Sequence, residues 1–409
     1  MRSIKEIYKI GKGPSSSHTI GPERAAKLFL KDNQTAERFT VSLFGSLSKT
    51  GKGHGTDRVL REVLELTPTE IIFRTDMPER LTHPNTMKFE AWKAGEVVSK
   101  LWVESVGGGD IHVVGEEEDP ARLEELEIYP ENSLAEIAQQ CRLWNCTLAE
   151  YVEFNEGEEI WGFLETIWEA MKNSIHEGLN AEGILPGGLG IARKAKILYE
   201  NPAPNEVPQV TEVRYVSAYA YAVCEQNADC GTIVTAPTCG ACGILPAVLY
   251  YMKDRRNLDE RKILESLAVA GLFGNLVKHN ASISGAECGC QAEVGTACSM
   301  AAAAMSHLMG LDTGQIQYAA EIALEHHLGL TCDPICGLVQ VLCIERNAVA
   351  AMRAINACNL SYFLHDTQRI SFDLVVKTMY ETGISMNQRF RETSEGSLAR
   401  MFSRRRPTT

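Results

Sequence analysis

Eleven of the thirteen cysteines fall between Cys224 and Cys358, and none precedes Cys141. Many stand in four short stretches rich in glycine and proline. These are Thr238-Cys239-Gly240-Ala241-Cys242-Gly243, Glu287-Cys288-Gly289-Cys290-Gln291, Thr331-Cys332-Asp333-Pro334-Ile335-Cys336-Gly337 and Cys343-Ile344-Glu345-Arg346-Asn347. A single free cysteine is by default a small inert hydrophobe; this density points to metal or redox chemistry. Two arrangements fit the spacing. Cys239, Cys242, Cys288 and Cys290 could form a four-thiolate zinc site. Alternatively, three cysteines from different loops could hold an iron–sulfur cluster with one iron left open, which can act as a Lewis acid. The Gly, Pro, Ser and Asn around the sulfurs leave room for a small ligand, which favours a catalytic site over a closed structural one.

Two histidine segments lie far upstream. In Gly13-Pro14-Ser15-Ser16-Ser17-His18-Thr19, three hydroxyls and an imidazole precede a helix start, where free N–H groups and the helix dipole favour an anion. The plainer alternative is one serine capping the helix and the others solvated. In Gly51-Lys52-Gly53-His54-Gly55-Thr56-Asp57, three glycines bend the chain so that His54 is presented. Gly45 and Gly51-Lys52 nearly match the phosphate-loop pattern. One residue too many separates the glycines, however, and Gly53 stands where the magnesium-binding hydroxyl belongs. His83-Pro84-Asn85 could place a further polar pair on a turn.

These segments must be carried by regular elements. Ile20 to Leu30 has the spacing of an amphipathic helix, and Phe39–Phe44, Glu70–Phe73 and Ile111–Val114 alternate like strands. Gly107-Gly108-Gly109-Asp110 is a turn. The first third therefore reads as a modest α+β unit of three or four strands. The acidic run Gly115 to Glu131 is a candidate linker, and Asn201 to Pro208 a loop. Beyond it, helical periodicity marks Leu134–Cys141, Leu148–Phe154, Ile160–Glu177, Arg214–Glu225, Ile244–Lys253, Glu260–Lys278, Cys298–Met309, Tyr318–Leu328 and Leu338–Cys358. The expectation is a multidomain chain: a small α+β N-terminal domain over residues 1–130, then a larger all-α catalytic domain over residues 131–409.

Composition narrows the classes. Across 409 residues there are 53 acidic and 40 basic side chains, a net charge of −13. That balance argues against non-specific nucleic-acid binding. The one basic cluster, Arg404-Arg405-Arg406, lies in the tail. No stretch is long and apolar enough to span a membrane, and Met1 to Gly13 lacks the apolar core of a signal peptide. A cytoplasmic protein without a disulfide framework is expected. A homodimer is the expected assembly, because closed two-fold assemblies are the commonest.

Taken in order, GPSSSHT, GKGHGTD and HPN, then APTCGACGILPAV, NASISGAECGCQAEVG, TCDPICGLVQ and CIERN, resemble the iron–sulfur-dependent L-serine dehydratases (L-serine ammonia-lyases) in their single-chain form. The resemblance runs from about Ile4 to about Ala399. It implies a [4Fe–4S] cluster, no pyridoxal phosphate, and conversion of L-serine to pyruvate and ammonia. It maps the cluster cysteines onto Cys290, Cys332 and Cys343, leaving Cys288, Cys336, Cys239 and Cys242 to packing or to support of the ligands. Some relatives carry a cysteine at the extreme C-terminus that can cap the fourth iron. This sequence ends Arg406-Pro407-Thr408-Thr409, so water, another ligand or substrate is expected there.

On that footing the open iron takes the serine hydroxyl, and a general base takes the α-proton. His54 is the first choice of base and His18 the second. Ser15, Ser16, Ser17 and His18 would hold the substrate carboxylate, with Asn85 and Thr238 as further polar contacts, in a site between the two domains. The alternatives are β-elimination from L-threonine or L-cysteine on the same scaffold, a non-catalytic amino-acid or redox sensor, and a structural zinc protein.

Overall fold

A computed structural model describes residues 1–76, 83–115, 127–256, 258–364 and 366–405. The first part is built on a five-stranded sheet. Its strands are β2 (Arg38–Leu43), β3 (Thr69–Phe73), β4 (Thr86–Lys93), β5 (Glu96–Gly107) and β6 (Asp110–Val113), in the order β3-β2-β4-β5-β6. A separate short strand, β1 (Ile10–Lys12), precedes them. Only β2 and β3 run parallel; the crossover between them carries the helices α2 (Gly45–Thr50) and α3 (Thr56–Val63). The pleat explains the β4 sequence: Met87, Phe89 and Ala91 are buried while Lys88 and Glu90 on the other face are only half-buried. Helix α1 (Gly21–Asp32) lays Ala25, Ala26 and Phe29 on the buried face. The Phe29 ring sits 5.5 Å from Phe39 and 5.3 Å from Phe89. The sheet has five strands where the sequence suggests three or four; the long hairpin β4–β5 is the addition.

From Leu134 onward the structure is helical. The longest helices are α4 (Leu134–Trp144), α5 (Leu148–Glu156), α6 (Ile160–Asn180), α7 (Ala195–Glu200), α8 (Pro208–Ala228), α9 (Ile244–Arg256), α10 (Glu260–Asn280), α11 (Thr296–Leu308), α12 (Thr313–Glu325), α13 (Val341–Phe363), α14 (Phe372–Ser385) and α15 (Ser397–Arg405). Capping boxes at Ser133/Glu136, Thr147/Glu150 and Asp312/Gln315 start three of them; each such cap contributes about 1 kcal/mol. Helix α11 is buried all round, with Ala301 to Ala304 fully inside, so its neighbours approach closely. No helix among the described residues is long and apolar enough to cross a membrane. Most of the acidic run proposed as a linker, residues 116–126, lies outside the described residues, as do Arg406 and the residues after it.

Contacts near the N-terminus help tie the parts together. Met1, Ile4, Ile7 and Tyr8 join the core of the helices, not that of the sheet. The β1 strand pairs antiparallel with β7 (Thr232–Val234), Ile10 opposite Val234. This pairing sets the Ser-rich segment that follows β1 beside the Cys239–Cys242 turn that follows β7.

Candidate active site

The Ser-rich segment forms one wide helical turn, Ser16–Ile20, that runs directly into α1. Ser15 caps it, its Oγ accepting from His18 N at 3.2 Å. Ser16 Oγ accepts from Cys239 N at 2.8 Å and donates to Cys239 Sγ. These two hydroxyls are therefore committed to the fold. Ser17 Oγ faces His18 Nδ1 at 2.9 Å. His18 and His54 are both buried, their rings 4.5 Å apart.

The hydrogen bonds fix both imidazoles. His54 Nδ1 lies 3.1 Å from Thr50 O. A carbonyl can only accept, so Nδ1 carries the proton and Nε2 the lone pair. His18 Nε2 lies 2.9 Å from Thr50 Oγ1 and 3.2 Å from Ser46 Oγ. Thr50 Oγ1 gives its own proton to Ser46 O, and Ser46 Oγ gives its proton to Glu392 O. Both hydroxyls must then accept from His18 Nε2–H, which leaves the lone pair on Nδ1. Burial lowers the pKa of His54 to about 4 and holds His18 well below its usual value, with His54 adding to the effect. Both rings are neutral at pH 7. His54 falls short of the near-neutral pKa expected of a general base, because desolvation outweighs the support of the Thr50 hydrogen bond.

The two lone pairs converge on Glu392, which the sequence did not suggest. Its Oε1 is 3.5 Å from His18 Nδ1 and 3.9 Å from His54 Nε2. The segment carrying it is pinned to the Cys332 loop: Cys332 N donates to Phe390 O, and Glu392 N donates to Cys332 O, each at 2.8 Å.

The thiols lie on the helical side of this group. The ligand atoms of Cys290, Glu293 and Cys332 fall within 4.8 Å of one another. Hydrogen bonding to Cys332 lowers the Cys290 thiol to about 6, with Arg346 helping, while the same pairing and burial push Cys332 well up. Against the lowering effect of burial, Cys290, Cys343 and Cys332 raise the pKa of the Arg346 guanidinium. Cys343 itself stands outside the close group that Cys290 and Cys332 form with Glu293. Burial, with Cys290 nearby, pushes the Glu293 carboxyl up to about 8; Thr238 Oγ1 donates to it at 2.8 Å. Glu293 and Arg346 each stand three residues after a cysteine, within stretches already singled out, and helical spacing brings them to the same face. Glu392 offered no such signal in an Arg- and Ser-rich tail.

The other cysteines go elsewhere. Cys239 faces Ser16 and Cys242 pairs with Cys224. Cys288 packs against Gly383, and Cys336 is exposed. Among the described residues, Cys239, Cys242, Cys288 and Cys290 form no four-sulfur group. Asn85 is fully buried; its Nδ2 reaches Ser105 O while its Oδ1 has no partner. Ser105 Oγ, Ser284 Oγ and Glu392 Oε2 are likewise buried and unpartnered. Gly285 lines the same space: a Cβ there would stand 2.5 Å from Glu293 Oε2 and 3.4 Å from Cys332 Sγ. Three soft thiol donors, unsatisfied polar atoms and a glycine-lined gap suit a thiolate-held metal group with a small polar ligand beside it. On the outer side of these loops is a cavity of about 390 Å³, lined by Pro14, Lys52, Gly53, Cys336 and Gln340 among others. A larger one, about 920 Å³ and lined by Lys12, Arg24, Arg58 and Cys230, contains none of the thiols or histidines above.

Comparison with known proteins agrees over nearly the whole chain. A family model described as the serine dehydratase alpha chain matches residues 79–399, and one described as the serine dehydratase beta chain matches residues 3–65. The sequence is 41% identical over 455 aligned positions to L-serine dehydratase TdcG of Escherichia coli (strain K12), covering 98% of this chain and 99% of that protein. It is 40% identical to L-serine dehydratase 2 of the same organism, over 98% of each chain. It is 39% identical to the L-serine dehydratase of Haemophilus influenzae, over 98% and 99%.

Proposed function

Because the chain belongs to the serine dehydratase family, we propose that it is an L-serine ammonia-lyase, a lyase that converts L-serine to pyruvate and ammonia. The observation that carries this reading is the meeting of Cys290 and Cys332, far apart in sequence, within 4.8 Å of one another, with two buried imidazoles facing the adjoining Glu392. We assign Cys290, Cys332 and Cys343 to hold a [4Fe–4S] cluster. When bound, a cluster with one iron free of protein thiolate supplies a Lewis acid for the leaving hydroxyl.

The chain's own residues supply the rest. His54 Nε2, its lone pair fixed by the Nδ1–H bond to Thr50 O, accepts the α-proton. His18 is held in one tautomer by Thr50 and Ser46, so its Nδ1 faces the same space. Asn85 is the polar contact left for the carboxylate, since Ser15 accepts from the backbone, Ser16 bonds Cys239, and Ser17 Oγ donates to the His18 Nδ1 lone pair. Thr238 acts through Glu293. Burial of the whole group excludes bulk water, which strengthens each polar contact. Loss of the α-proton and of hydroxide leaves aminoacrylate; this tautomerises to the imine, which water hydrolyses. Thirteen free thiols suit a reducing compartment, and a cytoplasmic location belongs to this reading.

The test is anaerobic purification followed by a visible absorption spectrum and a pyruvate assay on one sample. A brown protein that releases pyruvate on addition of L-serine is expected. A colourless protein without that activity would refute the reading. Faster release of products from L-threonine or L-cysteine would move the substrate.

A further inference from the structure

We propose that the Glu392 carboxylate seats the α-ammonium group of the substrate, and so selects an amino acid over a hydroxy acid. The proposal rests on the serine dehydratase reading, which leaves that one substrate group without a partner.

Glu392 is 5% exposed. Its Oε1 lies 3.5 Å from His18 Nδ1, which accepts from Ser17 Oγ, and 3.9 Å from His54 Nε2, which carries a lone pair in the tautomer fixed above. Neither ring therefore donates to it. Its Oε2 is buried without a hydrogen-bond partner. The nearby cations are engaged elsewhere. Lys49 reaches Glu395, Arg391 Nη1 donates to Glu287 O, and Arg346 Nη1 donates to Thr331 O. Among the described residues, no Lys or Arg pairs with Glu392. A buried carboxylate oxygen with no donor is costly, and a cationic donor relieves that cost.

The side chain is also aimed. Glu392 has φ +56°, a conformation costly to residues other than glycine, and it is held there from both sides. Its N–H goes to Cys332 O, and its carbonyl accepts from Ser46 Oγ at 2.6 Å. An α-ammonium brings three N–H donors and a positive charge. It is one bond from the α-carbon whose proton His54 Nε2 accepts, so both groups belong in one cavity. Glu392 Oε2 takes the ammonium and leaves His54 Nε2 free for the α-proton.

The test compares two non-reacting ligands on anaerobically purified, cluster-bearing enzyme, by calorimetry and by competition with L-serine. D-serine carries the ammonium; D-glycerate, of the same configuration, carries a hydroxyl in its place. Wild type should bind D-serine more tightly than D-glycerate by on the order of 10²-fold, the usual cost of unpairing a buried charge. Glu392→Gln should bring that ratio below about tenfold with an unchanged visible spectrum. Glu392→Asp should restore part of it. A ratio unchanged in Glu392→Gln overturns the proposal. So does loss of cluster absorbance in both variants, which assigns Glu392 to holding its segment. The ligand atoms of His18, His54 and Glu392 also lie close enough to share a cation. A divalent metal beyond the cluster iron, present in wild type and absent from Glu392→Gln, would overturn it too. Because these ligands do not react, failure of the ammonium site is distinguishable from failure of the pyruvate assay.

Discussion

Thr50 Oγ1 stands 2.9 Å from His18 Nε2 and receives its proton, because the threonine's own hydrogen is given to Ser46 O. Together with Ser46 Oγ, the second acceptor at 3.2 Å, this bond decides which nitrogen of His18 faces the site. Thr50→Val keeps the shape and removes the shorter of the two contacts, so the tautomer is held less firmly. The variant should lose about 1–3 kcal/mol of stability, the cost of a buried group left unpaired. It should also lose activity, whereas Thr50→Ser should retain both. Denaturant unfolding and kcat on the same preparations check this.

His54 carries the proposed proton transfer. Replacing it with Ala should leave the visible spectrum intact while kcat falls roughly 10²–10⁴-fold, the usual reach of general base catalysis. If kcat is unchanged, the role passes to His18, whose Nδ1 opens on the same space.

Cys290 and Cys332 come from separate turns and Cys343 from the first turn of α13, so no one of them can be replaced by a neighbour. Each Cys→Ala change should abolish both brown colour and pyruvate release. By contrast, Cys336→Ala should preserve both, since that thiol is exposed. Iron analysis beside the activity assay separates the two groups.

Much of this arrangement is legible in the sequence. The helices with clear periodicity form, and β2, β3 and β6 appear within a residue or two of the expected bounds. Strand β4 alternates as clearly as β2, with Met87, Phe89 and Ala91 in and Lys88 and Glu90 out, so its signal is present in the sequence; in β5 the apolar runs Val97-Val98 and Leu101-Trp102-Val103 blur the alternation. At the site, His18 and His54 are marked by their glycine- and serine-rich surroundings. Glu392 is not, because its importance comes from a long-range fold-back that pairs Arg391 with Cys332. Local spacing holds no trace of such a contact. Ser15 and Ser16 look free in sequence for a related reason: the fold alone brings His18 N onto one hydroxyl and Cys239 N onto the other.

The buried imidazoles give stability a pH dependence. The pKa of His54 is lowered from 6.5 to about 4 in the folded protein. Between those values the unfolded chain binds a proton that the native state refuses, so stability falls as pH drops from about 6.5 to about 4. The contribution is about 3 kcal/mol at full extent. Glu293 and Glu392 have raised pKa values and act with the opposite sign, their contribution fading as pH rises above the ordinary carboxylate range. The informative quantity is therefore the difference between wild type and His54→Gln. Wild type should lose more stability than the variant across that window in denaturant titrations at matched pH.

Asp333 fastens the segment that carries Glu392. Its Oδ1 accepts from Gly396 N at 3.1 Å and its Oδ2 from Ala399 N at 3.0 Å, at the start of α15. Ser394 Oγ adds a bond to Pro334 O at 2.5 Å. Gly396 is required by this closeness: a Cβ there would fall 2.8 Å from the Asp333 carboxylate. Asp333 also follows Cys332 directly, so one short loop holds both a proposed ligand and the tail. Asp333→Ala frees two buried N–H groups, and Gly396→Ala pushes the carboxylate away. Both should loosen residues 390–396 without removing any side chain from the site. The expected result is a raised KM for L-serine, with cluster absorbance retained and faster amide exchange confined to the tail. Hydrogen exchange alongside steady-state kinetics checks it. An unchanged KM with rapid tail exchange would mean that the segment does not shape the substrate site.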